Sequence, residues 1–349
     1  MNDDTPVKGG TLHSRLLFAA LFFAPTVMAM DMDDMSQPAE LHFGGDVNFA
    51  KRFGDSSAPS GFALGIVDTM IHGRLSRAFS VLAEIAYEDA GGGFGFDVER
   101  LYLSFEPRSW FRISAGRFHT PLGYWNTAYH HARWMYVSTE APLLARYEDE
   151  AGPLPAHTIG VLVHGAVPVG AVHLEYDLSV GNGRGPKADP PQNFGDTNEG
   201  KSVCAAFHAE FSGLRVGLSG MIDTAAISAG VDLNEQIAVA DLHWRLGELE
   251  AIAEGALIHH DVGGVSATNF GGYAQLAYGL LEDLRVYGRI ERFVRDQPES
   301  YLNTPTTSNA LGGFRYDLVP SAALKVEAGW ERSAGVSGVI ARGQLAWLF

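Results

Sequence analysis

Apolar and polar residues alternate along most of the chain and sort it into short extended stretches. Near the end, Leu324, Val326, Ala328 and Trp330 interleave with Lys325, Glu327 and Glu331. The same period of two sets Val172, Leu174, Tyr176 and Leu178 opposite His173, Glu175 and Asp177, and Val203, Ala205, Phe207 and Phe211 opposite His208 and Glu210. Successive side chains of a strand point to opposite sides, so each stretch has one apolar and one ionisable face. With turn residues as boundaries, the pattern predicts sixteen strands, over 40–50, 62–74, 79–89, 96–106, 110–118, 157–166, 170–181, 201–211, 214–224, 235–245, 248–259, 270–280, 284–294, 308–317, 321–332 and 339–349. The boundaries leave 14 or 18 strands open.

The connections are sorted too. Tight turns such as Pro107-Arg108-Ser109, Ser212-Gly213, Leu246-Gly247 and Val319-Pro320 follow even-numbered strands, and long polar loops are expected after odd-numbered ones. A transmembrane antiparallel β-barrel requires this, because one rim carries short turns and the other long loops. The expected class is therefore all-β. An ionised side chain facing lipid at mid-membrane costs about 2–4 kcal/mol, so the ionisable face is expected inside, against water. A soluble protein with the same alternation would reverse the faces, and the period alone does not choose between them.

The last strand bears on that choice. In residues 338–349 (GVIARGQLAWLF), Val339, Ala341, Gly343, Leu345, Trp347 and Phe349 share one face and Arg342 and Gln344 the other. Such an ending resembles the recognition strand of Gram-negative outer-membrane proteins read by the barrel-assembly machinery, with Leu345, Trp347 and Phe349 as the signal. At the other end, Lys8 and Arg15 precede the apolar run Leu16 to Ala24, and Val27-Met28-Ala29 ends in a small residue. Residues 1–29 thus read as an export signal, too short for the roughly 20 apolar residues of a helical span. Residues 30–349 are the expected barrel. Asp3 and Asp4 are unusual in such a signal and point to a start slightly downstream. Every proline of the mature chain is expected in a tail, turn or loop, because a closed barrel offers no edge where a missing N–H is harmless.

Charge and cysteine content narrow the function. With 41 Asp and Glu against 25 Lys and Arg, the net charge is −16. Nucleic acid is a poor partner for such a chain, since phosphates are neutralised by clustered Lys and Arg. Cys204 is the only cysteine, which excludes an internal disulfide and a Cys-based zinc site.

The third long loop, 119–156, stands out. It carries Tyr124, Trp125, Tyr129, Trp134, Met135, Tyr136 and Leu143, too apolar a set to extend into water, so it is expected to fold inward and narrow the lumen. Its Arg133, Glu140, Arg146, Glu148, Asp149 and Glu150, with Arg100 and Arg112 of the wall, are the predicted pore constriction. An outer lid or a subunit-contact loop is the alternative.

Residues 98–105 (VERLYLSF), 110–123 (WFRISAGRFHTPLG), the acidic 147–155 and 158–165 (TIGVLVHG) resemble the phosphate-selective O/P-like group of Gram-negative general porins. The resemblance is best from Val98 to Gly165. It implies a sixteen-stranded channel in the outer membrane, usually trimeric, with an inward third loop, in contact with lipid and lipopolysaccharide. The predicted inner face departs from that group in carrying more acids than bases, so phosphate selectivity is not implied. Charged rings in a narrow pore select by sign, and facing acids and bases orient dipolar solutes. The acid excess predicts a weak preference for cations or neutral hydrophiles.

Catalytic and metal motifs are weak. Ser219 lacks the spacing of a hydrolase nucleophile elbow. His130-His131 and His259-His260 are adjacent pairs whose side chains diverge on a strand, so they read as rim residues rather than metal clamps. No cofactor, metal or enzymatic activity is expected. An outer-membrane enzyme of protease or lipase type, or a structural or adhesive plugged barrel, are the alternative readings.

Overall fold

Sixteen antiparallel strands pair in chain order, and β1 pairs with β16 to close the barrel. The computed structural model describes residues 39–53, 60–89, 94–129, 132–146, 152–188, 194–196, 198–228 and 230–349. The export signal expected at 1–29 lies outside the described residues. The strands are β1 (Glu40–Phe53), β2 (Gly61–Arg74), β3 (Phe79–Asp89), β4 (Phe94–Arg108), β5 (Phe111–His119), β6 (His157–Val169), β7 (Val172–Asn182) and β8 (Ser202–Phe211). They continue as β9 (Leu214–Ser228), β10 (Val231–Leu246), β11 (Leu249–Val262), β12 (Val265–Gly279), β13 (Leu284–Val294), β14 (Thr307–Val319), β15 (Ala322–Ser333) and β16 (Val336–Leu348). A one-turn helix, α1 (Tyr124–Ala128), lies between β5 and β6.

Burial follows the alternation. On β15, Lys325 and Glu327 are 0% and 1% exposed, whereas Leu324 and Trp330 are 38% and 42% exposed. Phe207 on β8, Leu218 on β9 and Ile290 on β13 are likewise exposed, while His208, Ser219 and Arg289 are buried. On these strands the arrangement inverts that of a soluble protein, with ionisable groups covered and apolar ones bare. The inner faces of β10 and β11 also cover Ile237, Val239, Ile252 and Ile258, which cluster with Trp125 and Leu144 of the β5–β6 connection.

Two expectations are corrected. Three connections predicted to be long are two-residue turns, between β9 and β10, β11 and β12, and β15 and β16. Asp232 and Asn234, which look like loop residues, belong to β10, where Asp232 pairs with Ala226 and Asn234 with Thr224 of β9. Ala334 and Gly335 both have positive φ, 48° and 85°. A hairpin of this type matches the twist of the flanking strands. The prolines are not all outside strands, since Pro107 and Pro168 fall within β4 and β6. Pro107 sits in a register shift between Phe105 and Arg108, and Pro168 is at the turn end of its strand. At both positions a missing N–H disturbs few ladder bonds.

Candidate functional site

The connection from β5 to β6 is the longest between any two strands, and wall side chains hold its backbone at many points. Glu254 of β11 accepts from the Trp125 N–H at 2.7 Å, and Glu291 of β13 from the Leu143 N–H at 2.7 Å. Arg289 donates to the Ser138 hydroxyl and the Glu140 carbonyl, both at 3.0 Å. Lys325 donates to the Arg133 and Ser138 carbonyls, Arg315 to those of Trp134 and Tyr136, and Gln344 to that of Thr139. All are on the buried face of their strands or half-covered there. Long loops otherwise leave backbone groups to water, so this one is tied down as firmly as a strand.

Aromatic residues make the segment adhere. The Trp125 ring, fully buried, lies 4.9 Å from Tyr129 and from Tyr136 and meets Tyr273 of β12 edge-on at 6.0 Å. Tyr124 stacks on His243 at 4.5 Å, with the Arg215 guanidinium 5.1 Å from its ring. Entry into the helix depends on Gly123, whose φ is 73° and where an added Cβ would collide with the Glu254 carboxylate. Its N–H is accepted by the Ser219 hydroxyl at 3.1 Å.

The charges predicted to form one constriction fall into two groups. Arg133, Glu140 and Arg146 come together: Glu140 pairs with Arg342 at 2.9 Å and Arg146 at 3.2 Å, and Arg133 is 4.0 Å from Asp46. Burial opposes the charge on Glu140, but Arg342, Arg146, Arg133 and Arg289 outweigh it and hold the carboxyl below its usual range. Arg100 and Arg112 line a cavity to which none of Arg133, Glu140 and Arg146 contributes. Glu148, Asp149 and Glu150 lie outside the described residues.

That cavity, of about 390 Å³, runs between the segment from Pro121 to Ala128 and the wall of β4 to β9. Its charged lining is Arg100, Arg112, Arg215, Glu175 and Asp177, with His119, His164 and His208 beside them. Several are neutralised from behind. Arg100 pairs with Glu84, Arg215 with Asp241 at 3.0 Å, and Asp177 with His164 at 2.8 Å. Glu175, Asp177 and His208 were legible as inner-face residues but not as site residues. Nothing in the alternation tells which inner residues a loop covers and which it leaves open.

The remaining candidates have structural partners. His259 and His260 diverge as expected, His259 toward Thr268 and His260 inward between Glu235 and Glu299 at 2.8 Å each. Glu299 also accepts from the N–H groups of Tyr301 and Leu302 at 2.7 and 3.1 Å, and the Tyr301 hydroxyl donates to the Gly185 carbonyl. This ties the β13–β14 connection to the β7–β8 connection. Burial works against the Glu299 charge, yet bonds from His260 and Asn269 hold it at about 2. Cys204 is buried with its thiol 3.7 Å from the Pro121 carbonyl. His130 and His131 lie outside the described residues.

No family model and no curated protein matches this sequence. Solved structures do match in fold. An anion-selective porin from Comamonas acidovorans superposes with a TM-score of 0.64 at 12% identity, covering 89% of this chain and 99% of that one. OmpF of Salmonella typhi, in complex with daunomycin, gives 0.64 at 11% identity over 91% and 99%. In-vitro folded OmpT, an outer membrane protein of Vibrio cholerae in its trimer form, gives 0.62 at 10% over 89% and 99%. The fold is that of the outer-membrane porins. At these identities the likeness concerns the porin fold alone, and the roles of Glu140, Arg215 and their neighbours rest on the geometry above.

Proposed function

We propose that this chain is an outer-membrane porin through which small hydrophilic solutes diffuse passively. The observation that carries the reading is the polar cavity beside the pinned β5–β6 segment, within a closed barrel whose exposed face is apolar. Hydrocarbon is the only solvent in which bare Phe, Leu and Ile around a whole barrel cost nothing, and buried Arg, Glu and Asp then belong to the watery side. Residues 120–129 and 132–146 fill the lumen against β9 to β16 and leave the passage along β4 to β9.

The export signal at 1–29, an outer-membrane location with lipid and lipopolysaccharide around it, and assembly signalled by Leu345, Trp347 and Phe349 to the barrel-assembly machinery belong to the same reading. So does a homotrimer, supported by the trimer form of the Vibrio protein. The O/P-like resemblance of Val98 to Gly165 is part of the proposal; phosphate selectivity is not. Nor is the preference for cations expected from the acid excess, because three arginines and two carboxylates share the cavity lining. Neutral and dipolar solutes suit it better. No catalytic role is proposed: the Ser219 hydroxyl is engaged by the Gly123 N–H.

Purified protein in a planar bilayer under a salt gradient tests this directly. Stepwise ohmic currents with a reversal potential near zero are expected. Absence of any conductance would overturn the reading.

A further inference from the structure

The proposed passage holds an uneven set of partners. Glu175 lines the cavity and has no hydrogen-bond or ion-pair partner among the described residues. Arg112, 40% exposed at its side chain, has only a loose pairing with Glu106 at 3.6 Å. Arg215 spends one of its donors on Asp241 and keeps others, and an arginine has five. Next to Glu175 in the ladder stands His208, whose ring nitrogens are both buried without a hydrogen bond, with Asp241 3.8 Å away and out of reach. His208 is 5% exposed and lines the same cavity.

The ladder fixes how these groups are spaced. Arg112 pairs across the sheet with His164 and His164 with Asp177, while Glu175 pairs with His208. Neighbouring strands are about 4.8 Å apart, so Arg112 stands about two strand spacings from Asp177, with Glu175 two residues further along the same strand. The long side chains of Arg112 and Arg215 shorten the gap between their head groups and Glu175. A simple cation would meet arginine on either side of Glu175, and a simple anion would meet Glu175 and Asp177. A solute with both charges a few ångströms apart satisfies both sets.

Resting on the porin reading and extending it, we propose that this cavity is a binding site for small zwitterions of the amino-acid class. Glu175 takes the ammonium group, and Arg112 and Arg215 take the carboxylate. Binding is weak, because each contact is an exposed or half-exposed ion pair. Weak binding suits a passage that solutes must also leave.

Proteoliposome swelling with glycine and with its uncharged isomer glycolamide tests the proposal, since the two have the same composition and nearly the same size. Glycine is expected to enter about two- to fivefold faster. In Glu175→Gln and in Arg112→Gln the ratio falls to about one, and two separate variants guard against a fold defect in either. Equal rates in the unaltered protein, or an unchanged ratio in both variants, overturn the zwitterion site while leaving the channel standing. Failure of both solutes to enter overturns the channel itself, and the site with it.

Discussion

Glu254 receives two hydrogen bonds in the barrel wall, one from the Trp125 N–H at 2.7 Å and one from the Tyr273 hydroxyl at 2.6 Å. The two donors come from the loop and from the neighbouring strand, so one carboxylate fastens the start of α1 to the sheet. In Glu254→Ala the Trp125 N–H and the tyrosine hydroxyl are left buried without an acceptor, at a cost of about 1–3 kcal/mol. The segment loosens and the passage widens. Denaturant titration in micelles should show the lower midpoint, and single-channel recording a larger conductance; an unaltered conductance would mean that the segment does not limit flow.

Among the described residues Glu140 is the one carboxylate that both Arg342 and Arg146 contact. In Glu140→Gln, Arg146 loses the carboxylate it contacts and Arg342 keeps Glu327 alone, so the net charge near the loop becomes more positive. The reversal potential in a potassium chloride gradient is expected to move toward that of chloride. A shift of the opposite sign would show that ions pass elsewhere.

Acid should act late. Glu140 and Glu299 are held below their ordinary value of 4.5, Glu299 at about 2. A depressed carboxyl contributes stability that is complete above its unfolded value and is lost as pH falls through the folded one. The share of loop anchoring carried by Glu140 and Glu299 should therefore be constant from pH 7 to about 5 and weaken from about 4.5 downward, with the Glu299 share disappearing near 2. Protease sensitivity of the loops across this range would check it, and loosening already at pH 6 would contradict it.

The hairpin at Ala334-Gly335 holds Gly335 at φ 85°. Gly335→Val forces a branched side chain into the left-handed region at about 1–2 kcal/mol. The folded barrel should then convert to the unfolded form at a lower temperature on semi-native electrophoresis, and Ser337→Val, outside the turn, serves as the comparison.

The alternation that exposes Leu324 and Trp330 and covers Lys325 is visible in the sequence, because a strand's period depends only on neighbouring residues. The same locality explains the errors. Asp232 and Asn234 look like loop residues because the strands extend past the apolar band that makes a strand recognisable. Pro168 looks like a breaker because its register, opposite His173 one step from the turn, is not written in its neighbours. The aromatic content of the third loop announced that it would pack. Its anchors could not be read, since Trp125 and Glu254 are 129 positions apart. The same holds for the cavity: Glu175 and Asp177 were each legible as inner-face residues, but their shared openness depends on where α1 lies.

Closure joins Phe43 to Phe349, each donating its N–H to the other's carbonyl at 2.8 and 2.9 Å, with their rings 5.3 Å apart. Nearby, Gln344 reaches Asp46 across 298 positions. Hairpins elsewhere can zip as soon as two consecutive strands exist, but this seam must bring together remote segments and meet the entropy of a very long loop in one event. Until it does, two unsatisfied strand edges remain open to any other extended chain. Maturation of this protein therefore has its slowest and most vulnerable moment at a single joint, where an escort that shields the two edges would matter most.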